Sequence, residues 1–509
     1  MKSLWSGSSR IGIAWPLLLC ILLLLTALQS QGYWHPDEHF QILEFANFKL
    51  GLTPESELPW EYAAKLRPWT LPAATFVILK ALRALHVDSP HSQTLVLRLL
   101  TALGSAAACL YFLRALARSG YVSPRQEVLA QRLFALLWFV PFLWVRHTSE
   151  SWSSLLFYAG AALQLEGQRQ SRVLPFVPLA TTLFALSFHC RFQAGFLILG
   201  FGMWLLVEGS ARLTRLLLQG GLLLLLVIGL CAIDAWGYGT LTFTPWTYLR
   251  VNLIEGAAAG YGVTPVWLLF GWFVLAYPPV SLVLLAAGLW FLVAQRKQPL
   301  TFVLWPFVLA HLLIAHKELR FFVSLFWMLP VMLAVFWDRV LARWRWAVRL
   351  QTPFVLLNLP VGMALGFLPA SLDIGFLQQV WNRVDRRHSA VEIWEGSASP
   401  ATQRRESPFV QADLPTSFYN HHSAQRRELA QGVSLATQLR NREAQQPIVP
   451  VFVIASPQSH PQLLIEARAL CVQTGQLRLD GLWTALQARL GNRIPIHQWY
   501  LFEDCQIGD

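Results

Sequence analysis

The sequence predicts an all-α polytopic membrane protein with a small C-terminal α/β domain. Three observations point there. Of 509 residues, 55% are hydrophobic and only 13% charged, about half the charge of soluble domains. Apolar blocks recur as far as Leu368, many near the ~20 residues a bilayer crossing needs. From Asp373 onward the composition turns polar, rich in Arg, Gln, His and Ser. The 23 Trp and 32 Phe suit aromatic belts around an apolar bundle. The net charge of +12 comes from arginines placed between apolar blocks. That pattern fits cytoplasmic loops better than a nucleic-acid surface, and no nucleic-acid partner is expected.

Ile11–Leu28 is the first span. Lys2 and Arg10 precede it, no clean small-x-small cleavage site follows, and more spans come after. It therefore reads as an anchor with a cytoplasmic N-terminus rather than a signal peptide. Further spans are expected at Leu95–Leu113, Leu133–Val145, Trp152–Leu165, Val173–Phe188, Phe192–Val207, Leu216–Ile233, Val266–Ala294, Leu300–Ala315, Phe321–Trp337 and Trp346–Leu368. With Leu71–Leu85, an apolar helix interrupted by Lys80 and Arg83, that makes about 11–12 transmembrane helices.

Arg and Lys set the orientation. Gly167–Arg172, the Arg212 and Arg215 pair, Gln295–Lys297 and Asp338–Arg349 belong in the cytoplasm by the positive-inside rule. His35–Glu44, Arg146–Glu150, Asp234 and His316–Phe321 then share the opposite side. One conflict stays open. If Leu71–Leu85 spans, the arginines of Arg114–Arg132 fall outside; if it is re-entrant or interfacial, they do not.

The chain divides into a membrane domain, residues 1–371, and an extracytoplasmic α/β domain, residues 372–509; residues 31–70 form the first external loop. In the tail, Pro447–Ser456 and Ile496–Cys505 have strand character. His460–Cys471 has helical periodicity, and Ser397–Pro408 reads as a loop or linker. Cys20, Cys109, Cys190 and Cys231 lie in or beside apolar blocks, where a packed thiol is the default. Cys471 and Cys505 pair if the tail faces an oxidising compartment, and otherwise stay free.

Five stretches carry chemistry. "HPDEHFQILE" puts His35, Asp37 and Glu38 at the membrane edge. There a carboxylate can serve as general base, or Asp37 can simply cap a helix starting near Glu38. "PWEYAAKLRPWTLPA" sets Arg67 between Trp60 and Trp69, as a ligand for an anionic head group or as an interfacial anchor. "VRHTSESW" places Arg146, His147 and Glu150 at a helix start, with Ser149 or Ser151 as its cap. "FHCRFQAG" places His189 and Arg191 between apolar blocks, functional or snorkelling. "HKELRFF" is densest: Lys317 and Arg320 share a face if helical. They would clamp a phosphate with Glu318 orienting one of them; the alternative is a charged turn. No Walker A, zinc spacing or dinucleotide motif occurs, so soluble nucleotide chemistry lacks support. Acid in one patch and base in others, on one face, fit a reaction between an acceptor hydroxyl and a phosphate leaving group.

These stretches resemble glycosyltransferase family 22, the multispan GT-C mannosyltransferases. His35–Glu44 is similar to its H-P-D-E-x-F-Q-x-x-E signature and His316–Phe321 to H-K-E-x-R-F. The Arg67 and Arg146–Ser151 stretches resemble supporting motifs, with Pro68 where the family usually has Ser. Asp234–Phe270, with Asn252 inside it, is similar in layout to the branch that adds the third mannose of the GPI anchor. Gln- and Leu-rich style and short loops suggest a bacterial member, in the inner membrane; a eukaryotic one would sit in the endoplasmic reticulum. The resemblance implies a GT-C fold, a polyprenyl- or dolichyl-phosphate mannose donor in the membrane, and a glycolipid or glycan acceptor. It implies inverting transfer on the extracytoplasmic face. Asp37 would be the base and Glu38 would position acceptor or base. Lys317 and Arg320, with Arg191 or Arg146, would stabilise phosphate charge, and His316 would hydrogen-bond it. His35, Gln41, Glu44, Arg67, Asp234, Asn252 and Glu318 would position groups. No cofactor is required, though Asp37 and Glu38 could hold Mg²⁺ or Mn²⁺. The alternatives are a GT-C transferase of another sugar, such as aminoarabinose or glucose, and a lipid-linked-sugar flippase.

Overall fold

The computed structural model describes residues 9–172, 174–209, 211–260, 262–387, 389–395, 402–407, 410–429, 433–443, 450–455, 461–476 and 500–505. The chain is a multi-span helical membrane protein followed by a small mixed sheet. Pro90–Arg118, Leu213–Tyr238 and Arg345–Phe367 are each long and apolar enough to cross a bilayer alone. Ser9–Gln29 matches the expected first span. Shorter apolar helices, Phe176–Cys190 and Ala194–Val207, pack beside Ser149–Arg169 and Pro299–Leu313.

Prolines break several spans that the sequence shows as continuous. Leu133–Val145 divides into the end of Pro124–Leu136 and a short helix Val140–Val145, because Pro141 lacks an N–H and clashes with the carbonyl four residues back. Val266–Ala294 divides at Tyr277, before Pro278 and Pro279, whose rings push the preceding residue out of the helical region. Phe321–Trp337 starts as a 3₁₀ turn, Leu319–Phe322, and bends by 58° before its Pro330 half. The helix at Leu71–Leu85, observed as Thr70–Ala84, has 15 residues. At 1.5 Å per residue that is roughly 22 Å, short of a ~30 Å hydrocarbon core. Arg118 and Arg125 keep Arg114–Arg132 at the end of the bundle that holds Glu166 and Asp338.

Contacts between helix ends agree with this threading. At the arginine-rich end Arg125 and Gln126 meet Asp338 at 3.3 and 2.9 Å. There too Arg118 lies 3.6 Å from Glu166, and Gln298 donates to the Tyr121 carbonyl at 2.9 Å. At the other end the 30–38 segment meets Arg146, and Arg320 meets Asp37.

The tail forms a five-stranded sheet in the order β4-β1-β5-β7-β6. Its strands are β1 (Val391–Glu395), β4 (Ala424–Glu428), β5 (Val451–Ala455), β6 (Val472–Gln476) and β7 (Tyr500–Glu503). β1 pairs parallel with β4 and β5, while β7 runs antiparallel to β5 and β6. β1 and β5 are buried along their whole length, as strands covered on both faces are. Phe376, Val380 and Val384 of Leu372–Arg387 cover one face; Leu435, Leu439 and Leu464 cover the other. The expected linker is partly a strand: β2 (Thr402–Ser407) pairs antiparallel with β3 (Val410–Pro415), while 397–401 and 408 lie outside the described residues. Cys471 and Cys505 form a disulfide.

Candidate active site at one end of the bundle

Residues 31–70 turn the opening motif into a short helix with Pro36 at its start, where a missing N–H costs nothing. The cap is His35, not Asp37: the Asp37 N–H donates to His35 Nδ1 at 3.2 Å. Asp37 is thus relieved of capping and its carboxylate faces a cavity of about 380 Å³, also lined by Trp34, Ser149, Glu150 and Arg320. Glu38 lines the same cavity but has its own partners. It accepts the Trp34 N–H at 3.1 Å and lies 3.8 Å from Arg146. Burial pushes its carboxyl above the usual range, with Arg146 opposing. The two carboxylates thus meet different guanidinia, Arg320 and Arg146.

The cations converge on Asp37 from distant parts of the chain. Arg320 Nη1 donates to Asp37 Oδ2 at 2.8 Å, and Arg67 Nη2 lies 3.8 Å from the same oxygen. Arg320 also donates through Nε to Glu318 at 2.5 Å and sits 3.7 Å from Glu150. Glu150 in turn holds Arg191 at 2.9 Å. Burial would ease the proton off Arg320, but Asp37, Glu150 and Glu318 outweigh it and hold the guanidinium charged. For Glu318 burial is again the largest influence; hydrogen bonds from Arg320 and His316 overcome it and keep the carboxylate below its ordinary value. Burial and the Arg320 charge lower His35, which favours neutral imidazole. A second cavity, about 420 Å³, adjoins at Ile42 and Ser149 and is lined by Gln41, Arg67, Arg191, Gln193 and Tyr248. Arg67 is aimed by its backbone, whose N–H donates to Tyr238 Oη at 3.1 Å while its carbonyl accepts at 2.7 Å. Gln41 donates to Glu61 at 3.1 Å, and Glu61 lies 3.8 Å from Arg67.

Other expected site residues lie elsewhere. Lys317 does not share a face with Arg320, because the helix begins only at Leu319. Its buried ammonium donates to the carbonyls of Thr264 at 2.9 Å and Ile314 at 2.6 Å. Arg146 spends its guanidinium on the Ser30 and Gly32 carbonyls behind Glu38. His316 bonds Glu318 at 2.9 Å. Glu44 is buried with His39, Thr53 and Phe418. Asn252 donates to the Tyr248 carbonyl at 3.0 Å and lines neither cavity. Asp234 is buried and accepts from the Trp69 N–H at 2.8 Å and from Thr244. With His189 and Cys231 it makes a group whose ligand atoms lie within 4.8 Å. His189 bonds Thr70 through Nδ1 at 2.7 Å, and Cys231 donates to the Val227 carbonyl at 3.3 Å. The helix that carries Glu150 is capped by Thr148, not Ser149 or Ser151. Glu150, Gln193 and Tyr248 join the two cavities without having been singled out as site residues. The first two stand in stretches marked by their arginines; Tyr248 has no local signal.

A profile of the Alg9-like mannosyltransferase family matches residues 14–388. "GPI mannosyltransferase 3" of Yarrowia lipolytica is 28% identical over 301 residues, covering 58% of this chain and 56% of that protein. The Drosophila melanogaster protein of the same name is 26% identical over 377 residues, covering 70% and 60%. The chain thus spans under two thirds of the length of these relatives. Solved structures overlap loosely: the apo Archaeoglobus fulgidus oligosaccharyltransferase superimposes with a TM-score of 0.49 at 12% identity, over 92% of this chain and 73% of that one.

Proposed function

The chain belongs to the Alg9-like mannosyltransferase family, and from that premise we propose that it transfers mannose from a polyprenyl-phosphate donor to a hydroxyl of a glycolipid or glycan. One observation carries the reading: the Asp37 carboxylate and the Arg67, Arg191 and Arg320 guanidinia meet at the outer end of the bundle. Asp37 accepts the proton of the acceptor hydroxyl. The freed oxygen bonds to the anomeric carbon on the face opposite the phosphate, the bond from that carbon to the phosphate oxygen breaks, and configuration inverts. The phosphate leaves with the electron pair, and the arginines stabilise its charge, a preorganised electrostatic contribution.

Arg320 is the pivot of this sequence. With no anion present it neutralises Asp37, which makes a poor base. A donor phosphate competes for the guanidinium and releases the carboxylate as it binds. An apolar groove of about 660 Å³, lined by Leu269, Phe273, Leu289, Leu312, Phe322 and Phe326, starts two residues beyond Arg320 and suits the isoprenoid tail.

The test is the purified protein in lipid with radiolabelled polyprenyl-phosphate-mannose and a panel of glycolipid acceptors. Transfer that inverts the linkage is expected, and Arg320→Ala should raise donor KM about tenfold or more. Transfer of glucose or aminoarabinose in place of mannose, or lipid movement without transfer, would overturn the reading.

A further inference from the structure

We propose that the extracytoplasmic domain is part of the catalytic apparatus, with Tyr419 as a positioning residue that fixes the helix bearing Asp37. The proposal rests on the reading of Asp37 as the base.

The segment Ser417–Tyr419 forms a 3₁₀ turn that reaches back from the sheet to the outer surface of the bundle. The Tyr419 ring lies flat on His39, centroids 5.5 Å apart and planes 14° from parallel. On its other side His39 stacks on Tyr33 at 5.0 Å and 25°. All three rings are buried. His39 stands two residues from Asp37 and opens a π turn, His39–Leu43. Such widened turns are marginal without outside support and recur at functional sites.

Polar contacts repeat the arrangement. Buried Glu44 gathers three groups from separate segments: His39 Nε2 at 2.7 Å, Thr53 Oγ1 at 2.6 Å and the Phe418 N–H at 2.9 Å. Ser417 donates to Glu57 in the same external loop. The Tyr419 hydroxyl bonds Thr94 and shares the surroundings of Arg98, Glu38 and Arg146. A domain tethered only for solubility would not insert an aromatic ring between an imidazole and the groups behind Glu38.

The consequence is geometric. The distance from Asp37 to Arg320 depends on where this helix sits, and Phe418 and Tyr419 of the tail pack against the turn that follows it. The phosphate-facing arginines, Arg67, Arg191 and Arg320, lie on other elements. Losing the Tyr419 ring should therefore disturb the base and spare the donor site.

Full-length protein in lipid nanodiscs provides the test. A misplaced base can cost about 100-fold, so Tyr419→Ala should lower kcat by about 30- to 100-fold with donor KM within about threefold. Tyr419→Phe keeps the stack and should hold kcat within about threefold on the same argument. Amide exchange across residues 35–44 should quicken about tenfold or more in Tyr419→Ala, with β5 unchanged. If Tyr419→Ala does not fold, Tyr419→Leu, which fills the space without a flat ring, takes its place. Unchanged exchange across 35–44, unchanged kcat, or a loss confined to KM would overturn the proposal. If wild-type protein transfers no mannose, the functional reading fails, and the exchange comparison alone decides this one.

Discussion

Asp37 and Arg320 stand 283 positions apart and share a hydrogen bond. Each motif was legible in the sequence; their pairing was not, because it depends on how a whole bundle closes. Asp37→Asn removes the base without changing shape. It should lower kcat by about 10³, while donor binding, followed by ligand titration in nanodiscs, tightens, because Arg320 loses the carboxylate that competes with the phosphate. Glu318 gives a pH prediction. Its folded-state value lies below the ordinary 4.5, so its contribution to stability is present above 4.5 and fades as pH falls through the folded value. Wild-type protein should therefore lose thermal stability more steeply than Glu318→Gln below about pH 4.5, as a thermal melt at each pH would record. Lys317 shows the limit of spacing arguments. Three residues from Arg320, it would share a face only in a helix; the turn is not helical there, and carbonyls draw it inward.

Element existence was largely legible, since long apolar blocks leave few alternatives. Element breaks were not: Leu133–Val145, Val266–Ala294 and Phe321–Trp337 read as continuous, although Pro141, Pro278 and Pro330 interrupt them. The close approach of Trp69 to the helix Leu213–Tyr238 left no sequence sign beyond a glycine. A Cβ at Gly237 would fall 2.1 Å from the Trp69 ring. Because Trp69 also donates its N–H to Asp234, this contact seats the loop that aims Arg67. Gly237→Ala should cost about 1–3 kcal/mol as an overpacked substitution and raise donor KM. Thermal unfolding and steady-state kinetics on one preparation would show both; a neutral result would mean that the loop is held elsewhere.

Over the whole molecule, arginine placement predicts the sidedness, and the helix ends that carry Arg118, Arg125 and Asp338 pack at one end of the bundle. The strand order of the tail was not, because alternation identifies strands but not their neighbours. Exposed positions at the two ends allow a direct check: Ser56→Cys should react with an impermeant maleimide only from the external side, and Lys297→Cys only from the cytoplasmic side. Equal labelling of both from one side would contradict the threading. The disulfide between Cys471 and Cys505 adds a consequence for biogenesis. A chain whose tail stays behind in a reducing cytoplasm keeps two extra reactive thiols, while an exported tail loses them. Thiol titration of newly made protein therefore reports, molecule by molecule, whether translocation has finished. If Tyr419 seats the helix of Asp37, the same titration counts the copies able to turn over.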